Sequence, residues 1–262
     1  MEELQTRKGI SGSTLKLIAV ITMVIDHVGA VVLARLIMAS GYMSAIYSSD
    51  VTDLAEWLMT NENLYNAYTV TRFIGRMAFP IFCFLLVEGF MRTGNAKKYG
   101  LRLGVFALIS EIPFDLALSS AVFEWTYQNV FFTLFIGFVT MMVLDYIERT
   151  EWQLFAKALL SGTILLAGAC LAEVLGTDYG ARGVLAILAL YFFRRSRSWQ
   201  LVAGCAAFLW EMPALIGFIP IAFYNGKRGM KLKYFFYAFY PVHLVILYLI
   251  AVVLGVGGYA AW

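Results

Sequence analysis

Charge is what this chain has least of. Of its 262 residues, 14% are Asp, Glu, Lys or Arg and 61% are hydrophobic, with a mean hydropathy of +0.76. Soluble domains carry charge on about a quarter of their residues, so a water-soluble globular protein is excluded and an integral membrane protein is implied. Neither sign of charge dominates: 20 basic against 17 acidic residues leave a formal net charge of +3, and the basic residues fall in short clusters between apolar runs. That pattern argues against nucleic-acid binding and suits ordinary topology signals. Cysteine is scarce as well. Cys83, Cys170 and Cys205 all lie inside apolar runs without redox or metal-ligand spacing, so no disulfide framework and no metal are expected, and the thiols read as packed side chains. Internal repeats and low-complexity stretches are lacking, and with them the two matching halves of many transporters; a single domain over 1–262 suffices. Arg7 and Lys8 precede an apolar run without a small-residue cleavage site, so that run reads as a retained anchor and residues 1–13 as a cytoplasmic segment.

What is present is a series of apolar stretches near 14–39, 70–91, 100–119, 129–147, 154–176, 182–193, 200–223 and 234–257. Set against the ~20 residues a helix needs to cross a bilayer, they predict an all-α polytopic bundle of about eight or nine membrane segments. Basic residues alternate between the connections: Arg7 and Lys8; Arg92, Lys97, Lys98 and Arg102; Arg149 and Lys157; Arg194, Arg195 and Arg197. These ends are expected in the cytoplasm. Residues 40–69 carry Asp50, Asp53, Glu56 and Glu62 without Lys or Arg, and the loop at Glu124 has no positive charge either, so both belong outside. A single crossing over 200–223 would put Lys227, Arg228, Lys231 and Lys233 on the wrong side. Pro213, in Phe208-Leu209-Trp210-Glu211-Met212-Pro213, removes a helix donor and disfavours helical geometry before it. Two short helices, 199–210 and 214–224, are therefore predicted as a returning hairpin, whose non-helical turn must be buried or line a wet cavity.

Ionisable groups interrupt the apolar runs, and at membrane depth such groups are functional candidates because they are costly unless paired or wetted. Lys16 and His27 share a face of the first helix, about 16 Å apart along its axis. Histidine exchanges a proton near neutral pH, as a general base must; the structural alternative is a buried His bonded to a neighbouring helix. Asp26 points about 100° away from His27 and is expected to pair with an arginine of another helix. Arg72 and Arg76 share one face of the second segment. Arg76 lies at the depth of His27, where it could neutralise Asp26 or stabilise an oxyanion, whereas Arg72 suits snorkelling to the outer interface. Glu88, Glu111, Asp115, Gln128 and Asn129 stand at or within helix ends, as caps or as site residues. Glu111 or Asp115 could hold the second nitrogen of His27, with Pro113 between them kinking or interrupting the helix. Glu173, Asp178-Tyr179-Gly180 and Arg182 read as a turn with a surface ion pair in preference to an entrance. Asn225-Gly226-Lys227-Arg228-Gly229 has the composition of a phosphate-gripping loop, although positive-inside topology explains the same charges. His243 reads as a packing or hydrogen-bonding residue.

Ile10-Ser11-Gly12-Ser13-Thr14-Leu15-Lys16, Ile25-Asp26-His27, the run from Gly75 to Phe90, Ser110 to Asp115, Gln128 to Leu134, Asp178 to Gly183 and Tyr224 to Gly229 together resemble the TraX family over nearly the whole chain. A wider resemblance, carried by the Lys16 to His27 spacing and the Phe79 to Phe90 run, extends to membrane acyltransferases of the acyltransferase-3 and heparan glucosaminide acetyltransferase kind. The arginine pair departs from the acyltransferase-3 pattern, with three residues between Arg72 and Arg76 in place of two. The resemblance implies a bacterial inner-membrane acyltransferase, multi-pass with a cytoplasmic N-terminus. It would move an acetyl group from cytoplasmic acetyl-CoA to an amine or hydroxyl acceptor: a pilin-like peptide amine, a sugar or a small amine. His27, Asp26, Arg76, Glu111 and Asp115 are then the catalytic candidates. Lys16, Arg72, Gln128, Asn129, Asn225, Lys227, Arg228 and Lys233 are the candidates for binding the donor or acceptor. A transporter or flippase, or a non-catalytic assembly factor for conjugation or secretion, is the alternative.

Overall fold

The computed structural model describes residues 8–230 and 233–260, apart from the side chains of Val51, Lys233 and Tyr234. Arg7, Lys231 and the Lys233 side chain, invoked above for topology and donor binding, lie outside the described residues. Among those described, the chain is all-helical: α1 Gly12–His27, α2 Ala34–Ala39, α3 Tyr42–Ile46, α4 Val51–Thr60, α5 Glu62–Gly75, α6 Ala78–Arg92, α7 Ala96–Ser119, α8 Val130–Arg149, α9 Leu154–Val174, α10 Gly180–Phe192, α11 Arg197–Ala207, α12 Phe218–Ala222 and α13 Lys233–Val253. A π turn, Val28–Leu33, joins α1 to α2, and a 3-10 turn, Met212–Gly217, leads into α12.

Among the described residues five spans are long and apolar enough to cross a membrane: Gly12–Ala39, Glu62–Arg92, Val130–Arg149, Leu154–Val174 and Phe235–Val253. This is fewer than the eight or nine expected. α7 has the length, with 24 residues, but carries Arg102 in its second turn and Glu111 and Asp115 in its second half. α10 has 13 residues and α11 has 11, and at ~1.5 Å per residue neither spans ~30 Å of hydrocarbon unaided. Pro113 sits inside α7, which stays helical on both sides, so of the expected kink or interruption the interruption is not formed. The break near Pro213 does form. Helix stops at Ala207, the turn runs through Glu211, and the returning 3-10 and α12 segments end at Ala222.

Backbone bonds tie the connections into two groups at opposite ends of the bundle. At the basic end, Ile10 N–H donates to Phe223 O and Asn225 N–H to Ile10 O, while Gly12 and Ser13 N–H donate to Lys227 and Arg228 O. The last two satisfy donors that the first turn of a helix otherwise leaves open, and Ser11 caps the same turn through Thr14 N–H. At the acidic end, Gln128 N–H donates to Gly176 O and Asp178 N–H to Gln128 O. The hairpin returns the chain to the basic end, as its charge pattern requires.

The main apolar core is built on α6, α8 and α10 with α1 and the hairpin, around Phe84, Phe138, Ile187 and Phe208, and a second cluster joins Met23, Val31, Phe114, Tyr240 and Leu244. α9 is the most peripheral long helix. Its Cys170 is exposed on the bundle surface, against the expectation of a packed thiol, whereas Cys83 is buried. Arg35 is fully buried, and its guanidinium donates to the carbonyls of Val31, Leu116, Ala117 and Tyr259 and to Ser120 Oγ. Five acceptors meet the rigid fork of donors that arginine presents, so this residue pins the end of α7 and the C-terminal segment to α2.

Candidate functional site

Two local irregularities shape the interior next to His27. The π turn begins directly after it, a distortion that recurs at functional positions in helices. Opposite, α5 ends at Gly75 and α6 restarts at Ala78. Pro80 has no N–H for the Arg76 carbonyl four residues earlier, and its ring would crowd that oxygen, which accounts for the break. Close approach then requires glycine: a Cβ on Gly75 would lie 2.1 Å from Asp26 Cβ, and one on Gly29 would lie 2.4 Å from Thr71 Oγ1. The helices meet there almost backbone to backbone.

Between them lies a cavity of about 190 Å³ whose polar lining includes Asp26, His27, Tyr68, Arg72, Arg76, Tyr127, Asp178, Tyr179 and Tyr240. Phe79, Phe82 and Phe114 form apolar wall. Arg72 Nη1 lies 2.7 Å from Asp26 Oδ2, and the second Asp26 oxygen is buried without a bond. Arg76 Nε lies 3.2 Å from Glu211 Oε1, in the turn of the hairpin. Tyr127 Oη donates to Asp178, and Tyr179 stacks on Phe79 with centroids 3.5 Å apart. His27 is half-buried, its Nδ1 lies 2.6 Å from His243 Nε2, and Tyr240 meets its ring edge-on.

Of the residues singled out from sequence, Asp26, His27, Arg72 and Arg76 converge on this cavity. Asp26 pairs with an arginine of another helix as expected, but the partner is Arg72, which is held inward and does not snorkel. Glu111 and Asp115 do not reach His27. Glu111 accepts from Asn129 Nδ2 and Asp115 accepts from Glu124 N–H, leaving His243 as the neighbour that holds the second nitrogen. Asn129 caps α8 through Phe131 N–H and donates to Ala107 O, fastening α7 to α8. Gln128 bonds within its own turn, to the carbonyls of Glu124 and Trp125. In the exposed part of that turn, Glu124 accepts from the Thr126 hydroxyl and N–H, which hold its carboxyl below the ordinary glutamate range.

At the basic end, Asn225 folds its own turn, accepting from Lys227 N–H and donating to Gly9 O. Lys227 and Arg228 lend their carbonyls to α1 while their side chains stay exposed. Lys16 Nζ sits 5.6 Å from the Phe236 ring centroid, outside the cavity lining. Asp178 and Tyr179, read as part of a turn, line the cavity, and Arg182 lies over the Trp210 ring in place of an ion pair. Tyr68, Tyr127, Tyr240 and Glu211 belong to the site and were not predicted for it. The only signal was Glu211 beside the Pro213 break and Tyr240 beside Pro241. Among the described residues no group of three or more His, Cys, Asp and Glu could hold a metal ion.

Fold and site together define a polytopic helical membrane protein with a histidine, two arginines and two carboxylates gathered on one internal cavity, and a third carboxylate, Glu211, paired with Arg76 behind it. Comparison with known sequences makes the class specific: the family described as TraX protein matches residues 11–251, and the chain belongs to that family. One curated relative, the probable fimbrial assembly protein FimC, serogroup H1, of Dichelobacter nodosus, is 29% identical over 268 residues, covering 90% of this chain and 94% of the relative. No solved structure matches the chain.

Proposed function

We propose that the protein is a transmembrane acyltransferase that moves an acetyl group from cytoplasmic acetyl-CoA to an amine or hydroxyl acceptor at the membrane or its outer side, with His27 as the general base. The observation that carries this reading is His27 itself, half-buried on the wall of a polar cavity inside an otherwise apolar bundle. The protein lies in a bacterial inner membrane with its basic end cytoplasmic, and α7, α10 and the hairpin join the five apolar spans to make about eight or nine segments. The cavity then opens among the outer connections, where an acceptor arrives.

In the reaction His27 Nε2 takes the acceptor proton as the acceptor attacks the thioester carbonyl carbon. The carbon–sulfur bond breaks, and the proton passes from His27 to the leaving thiolate. Arg72 and Arg76 supply positive field for the oxyanion, each already balanced by a carboxylate. A cavity of about 190 Å³ suits an acetyl thioester tip and part of an acceptor; a whole nucleotide would have to stay outside. Its phosphates fit the basic end near Lys16, Arg228 and Lys227. Below the cavity, Tyr240, Phe131, Tyr237 and Phe106 form a chain of ring contacts, the first edge-on and the others stacked, leading toward that end. Donor entry on this reading requires those rings to move.

The name of the Dichelobacter relative favours a second reading, a non-catalytic fimbrial assembly factor whose buried charges serve helix packing. The broken hairpin suits a third, a transporter or flippase. The discriminating experiment is turnover of labelled acetyl-CoA by purified protein in nanodiscs with candidate amines and sugars, wild type beside His27→Ala. Loss of hydrolysis and transfer in a folded variant supports the enzyme. Equal signal in both, or none in either beside intact activity of His27→Ala in cells, supports assembly; no turnover but lost substrate movement supports transport.

A further inference from the structure

The geometry points to His243 as a positioning residue that fixes the tautomer of His27, so that Nε2 of His27 presents a lone pair to the cavity. The argument runs along a chain of three groups. His243 Nδ1 lies 2.9 Å from Phe239 O, four residues earlier on α13. A carbonyl only accepts, so His243 Nδ1 carries a proton. A neutral imidazole has one N–H, which leaves His243 Nε2 as an acceptor. His27 Nδ1, 2.6 Å from that Nε2, must therefore be the donor. Its own Nε2 is then unprotonated, and no hydrogen-bond partner claims it among the described residues.

The opposite direction would need a second proton on His243, making an imidazolium among apolar helices. Among the described residues neither ring forms an ion pair with a carboxylate: Asp26 is held by Arg72 and Asp178 by Tyr127. An unpaired charge at that depth is strongly disfavoured. Packing fixes the relay in place, because His243 is buried, stacks on Phe239 with centroids 5.1 Å apart, and meets Tyr240 edge-on. Imidazole orientation by a third group is the general logic of an activated base. Here a second histidine anchored on a main-chain carbonyl fills the role usually taken by a carboxylate.

This inference rests on the acyltransferase reading for its consequence in rate, but the tautomer itself is read without any acyl donor. The chain has two histidines, so labelling with ring-¹⁵N histidine gives two resolvable rings. In wild-type protein in nanodiscs, both Nδ1 atoms should give pyrrole-type shifts and both Nε2 atoms pyridine-type shifts. A pyrrole-type Nε2 on His27 overturns the proposal whatever the donor assay gives. With the predicted shifts but no acetyl-CoA turnover, the acyltransferase reading fails and the tautomer assignment stands.

Two isosteric variants separate positioning from packing. His243→Gln places its amide where Nε2 was and accepts from His27 Nδ1. His243→Asn places its amide where Nδ1 was, keeping the Phe239 bond while losing His27. A general base contributes about 10²–10⁴-fold, so His243→Asn and His243→Ala should lose on the order of 10²-fold or more in kcat with little change in the KM for acetyl-CoA. His243→Gln should stay within about 10-fold of wild type and keep the His27 shifts. If Asn and Gln behave alike in folded protein, His243 is packing and the proposal is wrong.

Discussion

Cutting the Asp26–Arg72 pair should cost more as a single change than as a double one. The two groups are 2.7 Å apart, with side chains 16% and 25% exposed, and they join α1 to the last turn of α5. With charge centres about 4 Å apart and an effective dielectric of about 20, their attraction is about 4 kcal/mol. Removing one partner strands the other, and losses for buried pairs run about 3–5 kcal/mol. Asp26→Ala and Arg72→Ala should each fall in that range. The double variant leaves no stranded charge and should lose less than the sum by about 3 kcal/mol or more. Reversible unfolding in mixed micelles of a denaturing and a mild detergent measures all four proteins. Neutral hydrogen bonds between membrane helices average about 0.6 kcal/mol, so a coupling no larger than that would refute the claim that a desolvated ion pair organises the cavity. The Arg149–Asp145 pair, with Arg149 76% exposed, is the internal control and should couple by no more than about 0.5 kcal/mol.

Gly75→Ala should lower the thermal midpoint sharply, because the new methyl overlaps Asp26, whereas Gly162→Ala, with nothing within 4 Å, should leave it unchanged or slightly raised; equal midpoints would contradict the close approach. Asn129→Ala removes a cap and should cost about 0.5–2 kcal/mol, measured by the same unfolding assay, while the KM for acetyl-CoA stays at its wild-type value; a large rise in KM would restore the residue to donor binding. Arg35→Met strands several acceptors and should expose the C-terminal segment to limited proteolysis, with cleavage near Tyr259 preceding any elsewhere.

Hydropathy and charge alternation carried most of the architecture. The break at Pro213 was visible too, and the positive-inside rule required that turn because Lys227 and Arg228 had to return to the basic end, whereas the break between α5 and α6 and the π turn after His27 lay inside what read as continuous apolar runs. Depth along a helix was readable for Arg76, which lines the same cavity as Asp26 and His27, but not for Arg72, which was expected to snorkel outward and pairs with Asp26 instead. What sequence could not supply was azimuth between distant helices. Glu111 and Asp115 have the right chemistry to orient His27, yet their face of α7 looks toward Asn129 and the Glu124 turn. His243 lies 216 residues from His27, and nothing local to Pro241 says which helix it will face. Aromatic residues were invisible for a different reason. In a chain with 15 tyrosines, those of the cavity have no spacing that separates them from packing residues. The turn at Asn225 shows a third limit: glycines and basic residues describe a phosphate loop and a helix-capping loop equally well, and only the backbone bonds from Gly12 and Ser13 reveal the capping role.

The most direct test of a reactive imidazole on the cavity wall is acylation of the folded protein with diethyl pyrocarbonate, followed by peptide mass mapping. The reagent attacks an unprotonated ring nitrogen, and the two histidines make the map unambiguous. His27, with Nε2 open, should be modified at a rate that acetyl-CoA slows, while His243, with both nitrogens bonded, should react only after unfolding. Modification of His243 first, or a His27 that stays inert until the protein is denatured, would contradict the account.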